Sequence, residues 1–303
     1  ILARERRHDP SARRVDAWDS AYLQEKIKAE EYDFDLQSVR PYFEYTRVRD
    51  GAMAIAGRMF GVTFRPVRDA AVWHADVEVF GLVEGERARG RIYLDMFPRD
   101  DKYKHYAQFT LANGKAGEVL PEGVLVCNFP RPGVEPALME HSDVETFFHE
   151  FGHLLHHTLG GHTRWAGISG VATEWDFVEA PSQMLEEWVW RADTLQTFAR
   201  HHQTGEPIPA GLVARMKAAD EFGKGLSVRQ QMFYAATSLE LHSRDPRGLD
   251  ARSRARRVHD GRLPATRAFP RAARRRCRRR GRRRDRRACR RHAGAARVSD
   301  PRP

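Results

Sequence analysis

The chain has 303 residues, enough for one large domain or two modest ones. Its hydrophobic fraction of 41% and aromatic fraction of 10% are ordinary for a globular protein, and no apolar run is long enough to span a membrane. The net charge of +11 is unevenly distributed, because residues 251–303 hold 22 of the 52 Lys and Arg but three acids, and so carry +19. Residues 1–250 carry −8, so no nucleic-acid partner is expected for that part of the chain.

The basic segment, residues 251–303, differs in kind from the rest of the chain. It contains one Phe, no Tyr and no Trp, and its arginine runs offer too little apolar surface to form a core. We therefore predict a folded domain over residues 1–250, followed by a tail that is disordered or translated out of frame. A tail that binds nucleic acid is the alternative.

The cysteines and the N-terminus bear on the location and origin of the chain. Three cysteines, Cys127, Cys277 and Cys289, make no disulfide framework, which predicts a reducing, cytoplasmic location. The sequence begins without an initiator methionine or the apolar core of a signal peptide, as expected of a segment of a longer protein.

The first third of the chain changes from a helical to a strand-like pattern. Apolar positions recur every three or four residues, so residues 10–66 are predicted to be largely helical. Alternating apolar residues on both sides of Gly85 predict a β-hairpin within residues 72–96. Residues 97–121 are predicted to be a polar loop, and residues 123–129 have the composition of a buried strand.

The middle of the chain is predicted to be helical. Ser142 and Glu145 have the spacing of a capping box, so a helix is predicted from Ser142 to about Leu159, before the two following glycines. A second long helix is predicted over residues 174–200, with a kink or a late start at Pro181. Residues 211–243 continue the helical pattern, which makes the predicted fold mainly α with a small β-sheet.

The helix predicted from Ser142 carries the strongest functional pattern. His149 and His153 lie four residues apart on one helix face, where two imidazoles can bind one Zn²⁺. Glu150 is predicted to be the general base, taking a proton from a zinc-activated water and passing it to the leaving amine. The opposite face is apolar and predicted to be buried, through Val144, Phe148, Phe151, Leu155 and Leu159.

A catalytic zinc site also needs a third protein ligand and one open position. No third histidine follows with the spacing of the metzincins, so an acid on the next predicted helix is expected. Glu179 is the first candidate because it flanks an apolar stripe formed by Val178, Pro181, Leu185 and Trp188. The acids left open as alternatives are Glu174, Asp176, Glu186 and Glu187. Of the next two histidines, His156 is predicted to support the ligands and His157 to lie at the surface.

Four spaced segments resemble the thimet oligopeptidase family of zinc peptidases, and most closely its thimet oligopeptidase and oligopeptidase A branch. The segments, in the order of the family, are residues 93–100, 126–130, 148–156 and 176–188. The resemblance covers residues 15–250. It implies a zincin-type metallopeptidase domain with a small β-sheet beside the H-E-x-x-H helix, His149, His153 and Glu179 as zinc ligands, and Glu150 as general base.

The function predicted from these observations is that of a monomeric zinc metalloendopeptidase that hydrolyses short peptides and has no membrane partner. The resemblance implies a deep channel, in which the strand at residues 123–129 is expected to pair with the substrate backbone. The long N-terminal helical half of the family, and its glycine-rich loop with tyrosines and a histidine, have no counterpart here, so weak activity or none is expected. The alternative is a non-catalytic remnant that binds metal.

Overall fold

The computed structural model describes residues 5–6, 10–11, 13, 15–133 and 136–243. The chain divides into two compact units, residues 1–228 and residues 229–303. The tail predicted over residues 251–303 lies outside the described residues. None of the helices in the described ranges has both the length and the apolar character needed to cross a bilayer.

The described residues are mainly helical with one small sheet, which confirms the predicted composition of the fold. The helices are α1 (Ala17–Tyr32), α2 (Tyr45–Phe60), α3 (His141–Gly160), α4 (Ala180–Glu186), α5 (Ala192–Leu195), α6 (Ala210–Asp220) and α7 (Lys224–His242). The strands are β1 (Thr63–Pro66), β2 (Glu78–Glu84), β3 (Arg87–Asp95), β4 (Ala107–Ala112) and β5 (Glu122–Val126). Single 3₁₀ turns occur at Leu36–Ser38, Arg40–Tyr42, Ala166–Ile168 and Glu187–Trp190.

The five strands form one mixed sheet in the order β1-β2-β3-β5-β4. Only the β3–β5 pair is parallel, and the other three pairs are antiparallel. The predicted hairpin is confirmed, because β2 and β3 pair through a two-residue turn in which Gly85 has φ 60°. The predicted buried strand is β5, which lies between β3 and β4.

The two edge strands were not predicted from the sequence. Residues 63–66, predicted as the end of a helical region, form β1, and residues 107–112 of the predicted polar loop form β4. Edge strands bury little of their surface, and Phe109 and Leu111 of β4 remain 43% and 46% exposed. The alternation of polar and apolar residues in each of these strands covers only about four residues, which is too short to distinguish a strand from a loop or a helix end.

Helix α3 packs its apolar face against β3, β4 and β5. The buried side chains on this face are Val144, Phe147, Phe148, Phe151, Leu154 and Leu155. This confirms the predicted buried face, with Leu159 partly buried at its end. Each such side chain contributes about 1.5–3 kcal/mol through removal from water, so the helix is held firmly on the sheet.

The predicted capping box of α3 is wrong by two residues. The helix begins at His141, and the Asp143 carboxylate accepts the backbone N–H of Glu140 at 3.0 Å. Glu145 instead accepts a hydrogen bond from Trp190 Nε1 at 2.9 Å. Both pairs have the three-residue spacing of a capping box, but only Ser142 and Glu145 have its usual residue types, so the sequence favoured the wrong pair. The helix ends at Gly160, one residue beyond the predicted end at about Leu159.

The single long helix predicted over residues 174–200 is wrong, but its predicted late start is confirmed. Helix α4 begins at Ala180 with Pro181 in its first turn, where the missing N–H of proline costs no helical hydrogen bond. A 3₁₀ turn follows, and Arg191 is extended, which separates α4 from α5. The predicted helical region 211–243 is likewise divided, at Gly223 with φ 82°.

Candidate metal centre

Three side chains from α3 and the start of α4 converge on one point. Nε2 of His149 lies 3.2 Å from Nε2 of His153. Oε2 of Glu179 lies 3.3 Å from the first of these nitrogens and 3.1 Å from the second. Within the described ranges, no other three His, Cys, Asp or Glu side chains come together in this way. The structure therefore brings together the three residues that the sequence selected as ligands.

A close crossing of α4 over α3 places Glu179 beside the histidines. A Cβ atom on Gly152 would lie 2.6 Å from the Cα of Ser182, so only glycine allows the two backbones to approach so closely. The Ser182 hydroxyl lies 2.9 Å from both the backbone oxygen and Oε2 of Glu179. The crossing thus fixes the position of the backbone of Glu179, and the hydroxyl helps to hold its carboxylate.

The spacing and chemistry of the three donor atoms fit a divalent metal ion. In a tetrahedral site with metal–ligand bonds of about 2.0–2.1 Å, two ligand atoms lie about 3.3–3.4 Å apart. The three observed separations, 3.1, 3.2 and 3.3 Å, are close to this value. Two imidazole nitrogens with one carboxylate oxygen are also a donor set found in catalytic zinc sites.

Glu186 orients His149 from the side of the ring that faces away from the converging donor atoms. Its Oε1 lies 2.5 Å from Nδ1 of His149, and because a carboxylate accepts, Nδ1 carries the proton. The lone pair of Nε2 is then directed toward His153 and Glu179, as metal binding requires. Glu186 lies seven residues after Glu179, a spacing that returns to the same face of a helix, so the sequence places it on the side of Glu179 without showing which atom it meets. The other acids left open as ligands, Glu174, Asp176 and Glu187, are exposed and do not belong to the converging group.

Glu150 lies half-buried on α3 between the two histidines. Its Oε2 accepts the backbone N–H of Gln108, from strand β4, at 3.0 Å. Burial raises the pKa of this carboxyl group, while His149 and the Gln108 N–H oppose the rise. Desolvation makes the carboxylate a better proton acceptor than an exposed glutamate, as a general base should be. Gln108 lies in the predicted loop and its role was not predicted.

Burial also keeps His153 in the form that binds metal. It lowers the pKa of His153, although the nearby Glu179 carboxylate acts in the opposite direction. A neutral imidazole has a free lone pair, whereas a protonated one cannot be a ligand.

The prediction that His157 lies at the surface is wrong. His157 is fully buried, and its Nε2 lies 3.1 Å from the carbonyl oxygens of Ala112 and Glu122. A helical wheel shows only that the residue is not on the main apolar face, and the carbonyl groups that receive it belong to distant strands. His156 is half-buried, and its ring centroid lies 6.1 Å from that of Phe177.

The expectation that the strand at residues 123–129 pairs with substrate is also wrong. The strand formed there, β5, already pairs with β3 on one side and with β4 on the other. Strand β4 forms the edge of the sheet next to α3, and its Gln108 N–H is the group that reaches Glu150.

Comparison with known proteins places this chain in a family. The model for peptidase family M3 matches residues 2–262. The chain belongs to peptidase family M3. It is 37% identical over 235 residues to oligopeptidase A of Escherichia coli (strain K12) and 33% identical over 240 residues to a probable cytosolic oligopeptidase A of Arabidopsis thaliana. It is 35% identical over 236 residues to a dipeptidyl carboxypeptidase of Salmonella typhimurium.

The M3 family membership confirms the resemblance found in the sequence. Each of the three matches covers 75% of this chain but 34% of the relative, so the chain spans about a third of the length of the relatives it matches. M3 peptidases are metal-dependent, and the converging donor atoms of this member are a suitable place for the metal.

Proposed function

We propose that this M3 chain forms the zinc centre of an oligopeptidase that cleaves short peptides internally. His149, His153 and Glu179 hold the zinc ion, and Glu150 is the general base of a zincin-type domain. The observation that supports this most directly is the convergence of three donor atoms within 3.3 Å of one another, beside a desolvated carboxylate. Zinc, when bound, supplies a Lewis acid that polarises the scissile carbonyl group.

Residues of the chain itself transfer the proton and hold the reacting side chains in position. Glu150 accepts the proton of the attacking water and donates it to the leaving amine. The Gln108 N–H, at 3.0 Å, holds one carboxylate oxygen of Glu150 and leaves the other available for the proton. Glu186 keeps the proton of His149 on Nδ1, so that Nε2 is free for the metal.

Strand β4 is the element on which a peptide would bind. An extended peptide can add to the edge of a sheet through backbone hydrogen bonds, with little dependence on its side chains. Because β4 is an edge strand and also contacts Glu150, a peptide bound there has its backbone next to the general base. Internal cleavage is proposed over removal of dipeptides because the oligopeptidase A of Escherichia coli, at 37% identity, is more similar to this chain than the dipeptidyl carboxypeptidase, at 35%.

We also propose that the chain acts as a monomer in the cytoplasm. The location is supported by the Arabidopsis thaliana relative, which is described as a probable cytosolic oligopeptidase A. Light scattering during size-exclusion chromatography tests the monomeric state.

The test compares the wild-type chain with Glu150→Gln after both have been stripped with a chelator and reloaded with zinc. One zinc per chain is expected in both proteins. Hydrolysis of an internally quenched fluorescent peptide should be about 10²- to 10⁴-fold faster in the wild type. Equal hydrolysis in the two proteins would contradict the role of Glu150. Bound zinc with no hydrolysis by the wild type would favour a non-catalytic metal-binding chain.

A further inference from the structure

Hydrogen bonds join helix α3 and strand β4 at two places. At the first, the N–H of Gln108 donates to the carboxylate of Glu150. At the second, His157 contacts the far end of the strand through Thr110 and Ala112. Glu150 and His157 are seven residues apart, about 10.5 Å along a helix, and Gln108 and Ala112 are four residues apart, at most about 13 Å along a strand. The two contacts therefore join one segment of α3 to one segment of β4, with one contact at each end.

The partners of His157 determine which of its nitrogens carries the proton. Nε2 lies 3.1 Å from two backbone oxygens, those of Ala112 and Glu122. Carbonyl oxygens only accept, so Nε2 is the protonated nitrogen and shares its hydrogen between them. Nδ1 is then the acceptor, and the Thr110 hydroxyl lies 3.4 Å away. Burial lowers the pKa of His157 and so favours this neutral form.

These contacts lie at an irregularity in the sheet. The register between β4 and β5 shifts between Thr110 and Ala112, so Leu111 is an additional residue on the edge strand. Such a bulge interrupts the ladder of backbone hydrogen bonds and loosens the pairing of the two strands. His157 binds one carbonyl group on each strand at this point, and thereby joins them where the ladder is broken.

The ring of His157 is confined on two sides by glycines. A Cβ atom on Gly170, which has φ 64°, would overlap Nδ1 of the ring. A Cβ atom on Gly123 would lie 3.1 Å from its Cδ2 atom. The ring is fully buried and has little space in which to turn, so its hydrogen bonds fix the distance between α3 and the bulge.

We propose that His157 is a positioning residue that locks the register of β4 on α3, and thereby holds the Gln108 N–H against Glu150. The consequence for catalysis rests on the proposed function, since it is the general base and the peptide-binding edge that are held in place. The fixed position of β4 on α3 is a property of the folded chain and is measured without substrate.

The test uses amide hydrogen exchange of the full zinc-loaded chain in the wild type, His157→Gln and His157→Asn. A glutamine amide nitrogen lies about as far from the backbone as Nε2 and can donate to the same carbonyl groups. The asparagine side chain is shorter, so its amide nitrogen does not reach them. Exchange at Gln108 should rise at least about tenfold in His157→Asn and stay near the wild-type rate in His157→Gln. His157→Phe, which keeps the volume of the ring, should resemble His157→Asn.

A matched control is His162→Phe. Nε2 of His162 donates to the carbonyl oxygen of Arg89 at 2.8 Å, a bond of the same kind on a different strand. This variant should leave exchange at Gln108 unchanged. In a Glu150→Ala background, where the partner of the Gln108 N–H is already missing, His157→Asn should add little further exchange at that amide.

Three results would overturn the proposal. One is equal exchange at Gln108 in the Gln and Asn variants. Another is a uniform rise over the whole sheet in His157→Asn, which would show a general loss of stability. The third is a full additional rise in the Glu150→Ala background, which would show that the two contacts are not coupled. Zinc content and peptide hydrolysis, measured on the same samples, test the proposed function separately.

Discussion

At the scale of single residues, helix α3 contains histidines in both neutral tautomers. His149 has its proton on Nδ1 because Glu186 accepts there, which frees Nε2 for a metal. His157 has its proton on Nε2 because two carbonyl groups accept there, which makes it a structural donor. The residue type is identical, and the acceptors around each ring decide its role.

The first prediction concerns the two glutamates beside His149. Glu179→Ala removes a donor atom from the converging group and should abolish stoichiometric zinc binding. Glu186→Ala removes only the acceptor at Nδ1 and should weaken zinc affinity about 10- to 100-fold. Equilibrium competition with a chromogenic chelator measures both effects. Full zinc affinity in Glu179→Ala would show that a different acid is the third ligand.

At the scale of elements, the site depends on how closely two helices cross. The crossing of α3 and α4 needs the missing side chain of Gly152, because a Cβ atom there would lie 2.6 Å from the backbone of Ser182. Two of the proposed ligands belong to one helix and the third precedes the other. Any separation of the helices therefore moves Glu179 away from both histidines.

The second prediction is that Gly152→Ala lowers zinc affinity and stability together. Relieving the overlap should cost about 1–3 kcal/mol in the free energy of unfolding, as insertion of a methyl group into a packed core does. Urea unfolding and zinc titration measure the two quantities. The control is Gly211→Ala on α6, where an added Cβ atom meets nothing within 4 Å. Unchanged zinc affinity in Gly152→Ala would contradict the role of the crossing.

A second feature at this scale is a buried ion pair at the end of β3. The Asp95 carboxylate is bonded to Arg99 at 2.6 Å and 2.7 Å, to Lys102 at 2.9 Å and to Trp73 Nε1 at 2.9 Å. Lys102 Nζ also donates to the carbonyl oxygens of Asp95, Phe97 and Cys127. This cluster joins the ends of β3 and β5 to the loop that leads into β4.

The third prediction is that this cluster makes the domain sensitive to acid. Burial alone would raise the pKa of Asp95, but the bonds from Arg99, Trp73 and Lys102 lower it to about 2. The folded-state pKa is thus below the unfolded value, so the stabilisation is complete above about pH 4 and is lost as the pH falls toward 2.

The difference between the two pKa values corresponds to about 2 kcal/mol at neutral pH. Asp95→Asn should lose about this much stability at pH 7, or more where Lys102 is left buried without a partner. The variant should also have a flatter stability profile between pH 4 and 2, measured by urea unfolding at each pH. An unchanged profile would show that Asp95 does not dominate this range.

At the scale of the whole molecule, the change in charge along the chain and the end of the family match fall at slightly different residues. Composition separates residues 1–250, with a charge of −8, from a segment that carries +19. The match to the M3 family model continues to residue 262. The segment after residue 262 therefore has neither the composition of a core nor a counterpart in the family model.

The fourth prediction is that residues 263–303 are dispensable for the metal centre. A chain that ends at residue 262 should keep its zinc stoichiometry and its thermal midpoint within about 2 °C, since a self-repelling basic segment adds no core. Any affinity for nucleic acid should disappear with the segment and should decrease with salt in the full chain. Loss of zinc binding on truncation would show that the segment has a structural role.

The sequence by itself determined the features that depend on neighbours a few residues away. The spacing of His149 and His153 places both on one face of any α-helix, whatever the rest of the fold. The apolar residues on the other face, and the turn at Gly85, follow from the same local periodicity. The two candidate histidine ligands, the candidate general base and the family resemblance could therefore be proposed before the fold was known, whereas on local pattern Glu179 remained one of several candidate acids.

Only the tertiary structure decided which distant backbone atoms meet these residues. It placed the Gln108 N–H at Glu150, showed Glu186 on the outer nitrogen of His149, and buried His157 under a bulge that sequence analysis had placed in a loop. None of these contacts follows from local pattern, because the alternation in a short edge strand is brief and a carbonyl group is the same in every residue. Their positions are fixed by the packing of α3 on the sheet, which the sequence specifies through all of its core residues together.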